Sequence, residues 1–378
     1  MARLIDEYDL SDAVEYHYGS FPPDSIDYQS LMVPMSAAAS ALARYDAKLE
    51  RLHNKELLLA PLRNAEAVVS SRIEGTVATL DEILKIQADV DDDDHETGAY
   101  RQEAIEVYSY TRAVKHAQNL LQNGLPISSR LIKEAHSRLL FFGRGADKAP
   151  GKFKIDQNYV ADKKNKKILF IPSSPEYLEN GIHELEKYIN REDVEPLIQT
   201  AVMHLEFEAL HPFKDGNGRL GRMLIPLNLW QRKVIHAPHL YISSAVEERR
   251  DEYVDRLREV SETREWTEWI NFFLEIIRRQ AEINTMITEK IDDLYNHMSV
   301  LFRDTLNSAY AHDVLDFVFT KPVFRNSALT SHPDIPSQTA HRLSRTLVQE
   351  GILTEIEPAS GRRAAMLAFE PLLEIVRD

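Results

Sequence analysis

Apolar residues along this chain recur mostly at three- and four-residue spacing, the period of a helix that turns one face to a core. The pattern predicts helices at about 31–53, 56–73, 98–122, 128–142, 175–191 and 194–210. Another runs from Arg219 to about Lys233, VEERRDEYVDRLREV continues the pattern, and WTEWINFFLEIIRRQ opens a long helix that ends near Ser308. ATLDEILKIQ starts a further one, with Thr79 placed as N-cap and Glu82 as its capping-box partner. Two stretches leave the period. Residues 1–30, with Pro22, Pro23 and several tyrosines, read as irregular. PGKFKIDQNYVADKKNKKILFIP, residues 150–172, alternates and predicts a β-hairpin with Lys163 to Lys167 near its turn. Trp266, Trp269, Phe272 and Phe273 fall at helical spacing and read as core, not as a cofactor box.

The last segment is organised differently. HDVLDFVFTKPVF suggests a helix, followed by a short helix, a turn with Pro333 and Pro336, and a helix from Ser337 to Glu350 that Gly351 stops. ILTEIEPASGRRAAMLAFE then reads as a hairpin around Ser360 and Gly361. Helix, turn, helix and wing resemble a winged helix-turn-helix domain. DNA readout by such a domain would use Gln338, His341, Arg342 and Arg345 on the second helix, with Arg362 and Arg363 on the wing. Residues 309–378 hold seven Lys/Arg against nine Asp/Glu, a net of −2 that is weak for a DNA binder. A DNA reader and a protein-interaction or packing module both remain open.

Composition narrows the class. At 378 residues the chain is long enough for two or three domains. It has no cysteine, which removes disulfides, thiolate metal sites and cysteine nucleophiles together. No apolar run approaches the roughly 18 residues of a membrane span. The start, MARLIDEYDL, is acidic and lacks a signal peptide's apolar core, so a cytoplasmic protein without membrane association is expected. A net charge of −15 argues against broad nonspecific nucleic-acid binding. The aspartates at 91–94 repel one another without spaced ligands, and read as a solvated loop and not a cation site.

The chemistry concentrates in HPFKDGNGRLGR, from His211 to Arg222. A glycine-rich turn frees backbone N–H groups to face an anion, and a helix N-terminus after it adds its positive dipole end. Arg219 and Arg222, three apart, share a helix face and can fork onto phosphate oxygens. Asp215 can hold a divalent cation, and a histidine such as His211 can take a proton near neutral pH. His204, seven residues earlier, allows a metal pair on paper, but no third ligand sits at zinc-like spacing, and a partnered helix histidine is expected.

These residues resemble the Fic (filamentation induced by cAMP) family, whose motif HxFx(D/E)GNGRxxR is matched at every specified position, Phe213 included. IHELEKYI and VMHLEFEALHPF resemble the helices that lead into that motif. LYISSAVEERRDEYVDRL resembles the segment that closes the adenine side of the pocket, and the hairpin sits where the family carries a flap that docks the target. SSRIEG, with Ser70 and Glu74 on one helix face and Gly75 as the stop, resembles the family's (S/T)xxxE(G/N) inhibitory helix. The surrounding LRNAEAVVSSRIEGTVATLDEIL resembles the subgroup that carries this helix upstream in the same chain.

The resemblance implies a mainly α fold: a Fic-type helical core with a β-hairpin flap, plus the C-terminal winged helix-turn-helix domain. Its boundaries fall at 1–97 for an N-terminal helical region with the inhibitory helix at about 56–75, 98–308 for the core, and 309–378 for the last domain. It implies a protein adenylyltransferase that moves AMP from ATP to a Ser, Thr or Tyr hydroxyl of a target protein, itself included, and releases pyrophosphate. His211 would be the base and Asp215 would hold Mg²⁺. Gly216, Asn217 and Gly218 would cradle the phosphates, with Arg219 and Arg222 on the β- and γ-phosphates. Glu74 would occupy Arg222 and turn the α-phosphate away from attack. Two rivals stay open: a de-AMPylase in which Glu74 orients water, and a DNA-binding regulator whose core senses nucleotide. The target, the donor preference and the oligomeric state, a homodimer included, are not written in the residues.

Overall fold

The computed structural model describes residues 8–50, 55–91, 100–142, 145–162 and 164–377. Lys163 and the aspartates after Asp91 lie outside them. The chain is mainly helical. After strand β1 (Val14–Glu15) come α1 (Tyr28–Glu50), α2 (Lys55–Ile73), α3 (Leu80–Asp91), α4 (Gln102–Gln122) and α5 (Ser129–Leu139). The hairpin strands β2 (Val160–Asp162) and β3 (Lys167–Ile171) follow, then α6 (Pro175–Ile189), α7 (Pro196–Leu210), α8 (Asn217–Gln231), α9 (Ser243–Glu248), α10 (Arg250–Thr263) and α11 (Thr267–Leu306). The last part is α12 (Ala311–Thr320), β4 (Val323–Arg325), α13 (Asn326–Thr330), α14 (Ser337–Gln349), β5 (Thr354–Glu357), β6 (Met366–Ala368) and α15 (Glu370–Arg377). No helix among the described residues is long and apolar enough to cross a membrane.

Contacts divide the chain into two compact units, residues 1–46 with 112–282 and residues 47–111 with 283–378. The first is built around α7. Residues 197–207 of that helix are buried on every side, which a helix in the middle of a bundle requires. Glu195 caps it by accepting from the Ile198 N–H at 2.8 Å, and Pro196 occupies its first turn, where a missing N–H costs nothing. It packs on α6 and α8. Trp266, Trp269, Phe272 and Phe273 are all buried, and the Trp269 indole donates to the Ala201 carbonyl at 2.8 Å.

The N-terminal segment is not wholly irregular. β1 pairs parallel with β3, Val14 opposite Phe170 and Glu15 opposite Ile171, so the hairpin becomes a three-stranded sheet. Two residues are too short to show a period-2 pattern, which is why the strand does not announce itself. The segment is anchored by hydrogen bonds. His17 joins Ser261 Oγ and Glu206 Oε2, each at 2.8 Å, and the Tyr16 hydroxyl donates to Glu206 Oε1 at 2.7 Å. The Ser–His–Glu order imitates a nucleophile triad, yet Ser261 is 3% and His17 0% exposed, so no substrate reaches it. It ties the segment to α7 and α10.

In the second unit, α2 packs on α3, α12 and α15, and α3 packs on β4. The strands form an antiparallel sheet in the order β4–β6–β5, with Phe324 opposite Leu367 and Glu355 opposite Leu367 on the other side. The expected capping box opens α3: Thr79 N–H donates to Glu82 Oε2 at 2.8 Å and Glu82 N–H to Thr79 Oγ1 at 3.2 Å. Asp89 stands two residues before the aspartates at 91–94. It lies in α3, 2% exposed, and accepts from Arg325 and Arg363.

Candidate active site

The motif residues come together at the join of α7 and α8. His211 ends α7 in the left-handed conformation, φ 46° and ψ 60°. Its Nδ1 lies 3.3 Å from the Glu208 carbonyl. A carbonyl only accepts, so Nδ1 carries the proton and Nε2 is the basic nitrogen. Pro212 and Phe213 turn the chain inward, both buried. The Asn217 amide closes this turn on itself, accepting from Phe213 N–H and donating to Phe213 O, both at 2.8 Å.

Gly216 precedes α8 with φ 79°, a left-handed position where glycine carries no Cβ penalty. A Cβ there would also come within 3.2 Å of Leu139 Cδ2. No side chain caps this helix end, so the first N–H groups of α8 keep their capacity for an anion, and the helix dipole adds to it. Arg219 is almost wholly buried, with Nη2 3.6 Å from Asp215 Oδ1. Its Nε and Nη1 are buried and make no hydrogen bond. Buried guanidinium nitrogens without acceptors are costly, and phosphate oxygens are the acceptors that fit them. Arg222, one turn on, is 2% exposed.

Asp215 is the motif's carboxylate, 46% exposed, and its Oδ1 accepts from the Gly216 N–H at 2.7 Å. No group of three or more metal-binding side chains occurs among the described residues. Magnesium keeps several waters and leans on substrate phosphates, so one exposed carboxylate beside an anion cradle fits it, while a resident zinc would not be held.

His204 is the partnered helix histidine expected from its spacing. It is fully buried, lies 2.8 Å from the Tyr253 hydroxyl, and burial pushes it down to about 3. His136, on α5, has no counterpart in the sequence reading. Its Nδ1 accepts from Gly151 N–H at 2.8 Å, so Nε2–H donates to the Asp215 carbonyl at 2.9 Å. Its ring stacks on Phe213 at 3.6 Å. Burial pushes it down to about 4, so it stays neutral and serves as a fixed prop under the Asp215 turn. Its only sequence signal was a histidine on the apolar face of a helix. The first arm of the predicted hairpin is short: residues 151–159 are mostly irregular and reach the motif turn through Lys154 and Asn158.

The remaining expected residues belong to the second unit. Ser70 is buried near the end of α2, and Glu74 is exposed. Gly75 has φ 85°, and Thr76 N–H to Ser71 O with Gly75 N–H to Arg72 O, both 2.9 Å, close the helix as a Schellman motif. Gln338, His341, Arg342 and Arg345 all lie on the exposed face of α14, and Arg362 is exposed on the β5–β6 connection. Arg363 is taken up within the unit by Asp89.

Comparison with known proteins agrees with this geometry. Residues 32–119 match the family model described as Fic/DOC family N-terminal, and residues 126–229 match Fic/DOC family. A probable protein adenylyltransferase of Aquifex aeolicus is 24% identical over 255 residues, covering 66% of this chain and 72% of that protein. Protein adenylyltransferase fic-1 of Caenorhabditis elegans is 32% identical over 99 residues, covering 25% of this chain but only 18% of its own length. Among solved structures, a Fic family protein from Desulfovibrio desulfuricans G20 has a TM-score of 0.57 at 18% identity, covering 92% of this chain and 98% of its own. The C. elegans Fic-1 fragment 134–508 has a TM-score of 0.52 at 19% identity, covering 71% and 75%.

Proposed function

The chain belongs to the Fic/DOC family, and we propose that it is a protein adenylyltransferase that moves AMP from ATP to a side-chain hydroxyl of a target protein. The observation that carries this reading is the pair of buried Arg219 nitrogens without acceptors, beside a helix N-terminus that no side chain caps. Such a cradle suits a polyphosphate, and the names of the Aquifex and C. elegans relatives give the reaction.

The chemistry then follows from these residues. The triphosphate lies against the N–H groups at Gly216, Asn217 and Gly218, with Arg219 and Arg222 on the β- and γ-phosphates. His211 Nε2 takes the proton of the target hydroxyl as its oxygen forms a bond to the α-phosphorus. The bond from that phosphorus to the bridging oxygen breaks, and pyrophosphate leaves with the electron pair. Asp215 would hold Mg²⁺, which would supply charge neutralisation on the phosphates. Glu74, at the end of α2, holds the activity down by competing with the γ-phosphate for Arg222. The test is label transfer from ATP–Mg²⁺. His211→Ala abolishes transfer, including self-modification, while ATP affinity stays within about threefold, because the base acts on the target. Full transfer by that variant overturns the assignment.

A second role is supported by the exposed face of α14. Gln338, His341, Arg342 and Arg345, with Arg362 exposed on the β5–β6 connection, offer amide, imidazole and guanidinium groups to a DNA groove. Arg342→Ala with Arg345→Ala lowers DNA affinity and flattens its salt dependence by about one unit of slope per lost phosphate contact. Absence of salt-sensitive binding in the unaltered chain leaves the module as a protein-interaction element.

A further inference from the structure

His211 sits in a backbone conformation that non-glycine residues hold only when neighbouring bonds fix it. His211 N–H donates to the Phe207 carbonyl at 3.1 Å, Ser173 Oγ to the Leu210 carbonyl at 3.0 Å and Asn217 Nδ2 to the Phe213 carbonyl at 2.8 Å, and the other bonds come from one short stretch of the first unit. Lys154 Nζ donates to the Leu210 carbonyl at 3.0 Å, and its backbone N–H donates to the Pro212 carbonyl at 2.8 Å. Asn158 Nδ2 donates to the carbonyls of His211 and Phe213, each at 3.0 Å. Lys154 Nζ also donates to Asn158 Oδ1 at 2.7 Å, so the two side chains brace one another. Every carbonyl from residue 210 to residue 213 is therefore held by residue 154 or 158.

The choice of lysine is unexpected on stability grounds. Lys154 is 3% exposed, and among the described residues its ammonium has no carboxylate partner. Burial pushes it down to about 7. An apolar side chain of similar length would suit such a site at less cost in desolvation. What the ammonium adds is directed donation to the last carbonyl of α7, next to the residue whose imbalance of a single ångström would spoil proton transfer.

We propose that Lys154 and Asn158 are positioning residues that hold the His211 backbone in its left-handed conformation and thereby aim its imidazole at the reacting hydroxyl. The inference rests on His211 being the base of the transfer reaction.

The experiment compares the full chain with Lys154→Met, Asn158→Ala and the double variant. Steady-state AMP transfer is measured at varied ATP, and the histidine side chains are followed by NMR in ¹⁵N-histidine-labelled protein. The expected result is a KM for ATP within about threefold of the unaltered chain and a kcat lower by about a hundredfold. The double variant should be no more than about threefold worse than the poorer single, because the two residues act as one brace. His211 resonances shift or broaden while those of His204 stay in place. Should Lys154→Met fail to fold, Asn158→Ala, at a half-exposed position, carries the test. A kcat within threefold of the unaltered chain in a folded variant, or unmoved His211 resonances, overturns the proposal. If the unaltered chain transfers no AMP at all, the adenylyltransferase reading fails, and the His211 resonances still decide the brace.

Discussion

Asp89 Oδ1 and Arg325 Nε meet at 2.8 Å with side chains 3% and 1% exposed. The pair is compensated on both sides. Asp89 also accepts from Arg363 and the Tyr100 hydroxyl, and Arg325 Nη2 donates to Glu357 at 2.7 Å. Through it, α3 is bonded to β4 and to the β5–β6 connection, so the helices that carry the SSRIEG stretch and the C-terminal module belong to one unit.

Removing one member of a buried pair strands the other. Asp89→Ala should therefore destabilise the second unit by about 3–5 kcal/mol, read as a lower urea midpoint. Hydrogen-exchange protection should fall in α2 and α3 as well as in β4–β6. Loss confined to the C-terminal strands would show that the helices do not depend on this bond.

How much of this was legible turns on sequence separation. The Thr79–Glu82 box and the Gly75 stop are local devices, three or four residues long, and the chain wrote them openly. The HPFKDGNGRLGR cradle is equally compact. Asp89 is different. It stands two residues before the aspartates that read as solvated, and its arginine partners lie 236 and 274 residues away. His136 is similarly hidden, 79 residues from the carbonyl it props. α15 was not foreseen either, since its eight residues follow a strand without a clear boundary. Local spacing shows a turn or a cap, but not which distant charge will meet which.

Arg219 gives the second prediction. Its buried Nε and Nη1 lack acceptors in the free protein, so the side chain burdens the fold and serves the ligand. Arg219→Ala should leave the thermal midpoint without nucleotide unchanged or raised. It should also weaken ATP–Mg²⁺ binding by about tenfold or more, since one charge-assisted contact is worth about 1.5–3 kcal/mol. A drop in the midpoint of the free protein, with ATP affinity intact, would make Arg219 structural.

The third concerns pH. Burial holds His136 near 4 and His204 near 3, against an ordinary 6.5, so both stay neutral in the folded chain. The unfolded chain takes up protons at these positions below about 6.5. The sign follows: their contribution is fully present above 6.5 and is lost as pH falls from there toward 4. Urea midpoints at pH 7.5 should exceed those at pH 5, and His136→Gln should make the difference smaller. Equal midpoints in the unaltered chain would rule the account out.

The last prediction concerns control. Ser70 and Glu74 lie four apart at the end of α2, Ser70 a buried and Glu74 an exposed residue, with Gly75 ending the helix directly behind them. A carboxylate and a γ-phosphate are rival acceptors for the same guanidinium fork. If Glu74 competes for Arg222, Glu74→Gly raises AMP transfer by more than about tenfold, which asks for only about 1.4 kcal/mol of relieved barrier. Arg222→Ala does not mimic it, because the triphosphate then loses its own contact. The double variant behaves like Arg222→Ala alone, since the carboxylate has nothing left to block. A fall in transfer for Glu74→Gly refutes inhibition. If that fall comes with lost removal of AMP from a modified substrate, Glu74 orients water, and the enzyme runs in the opposite direction.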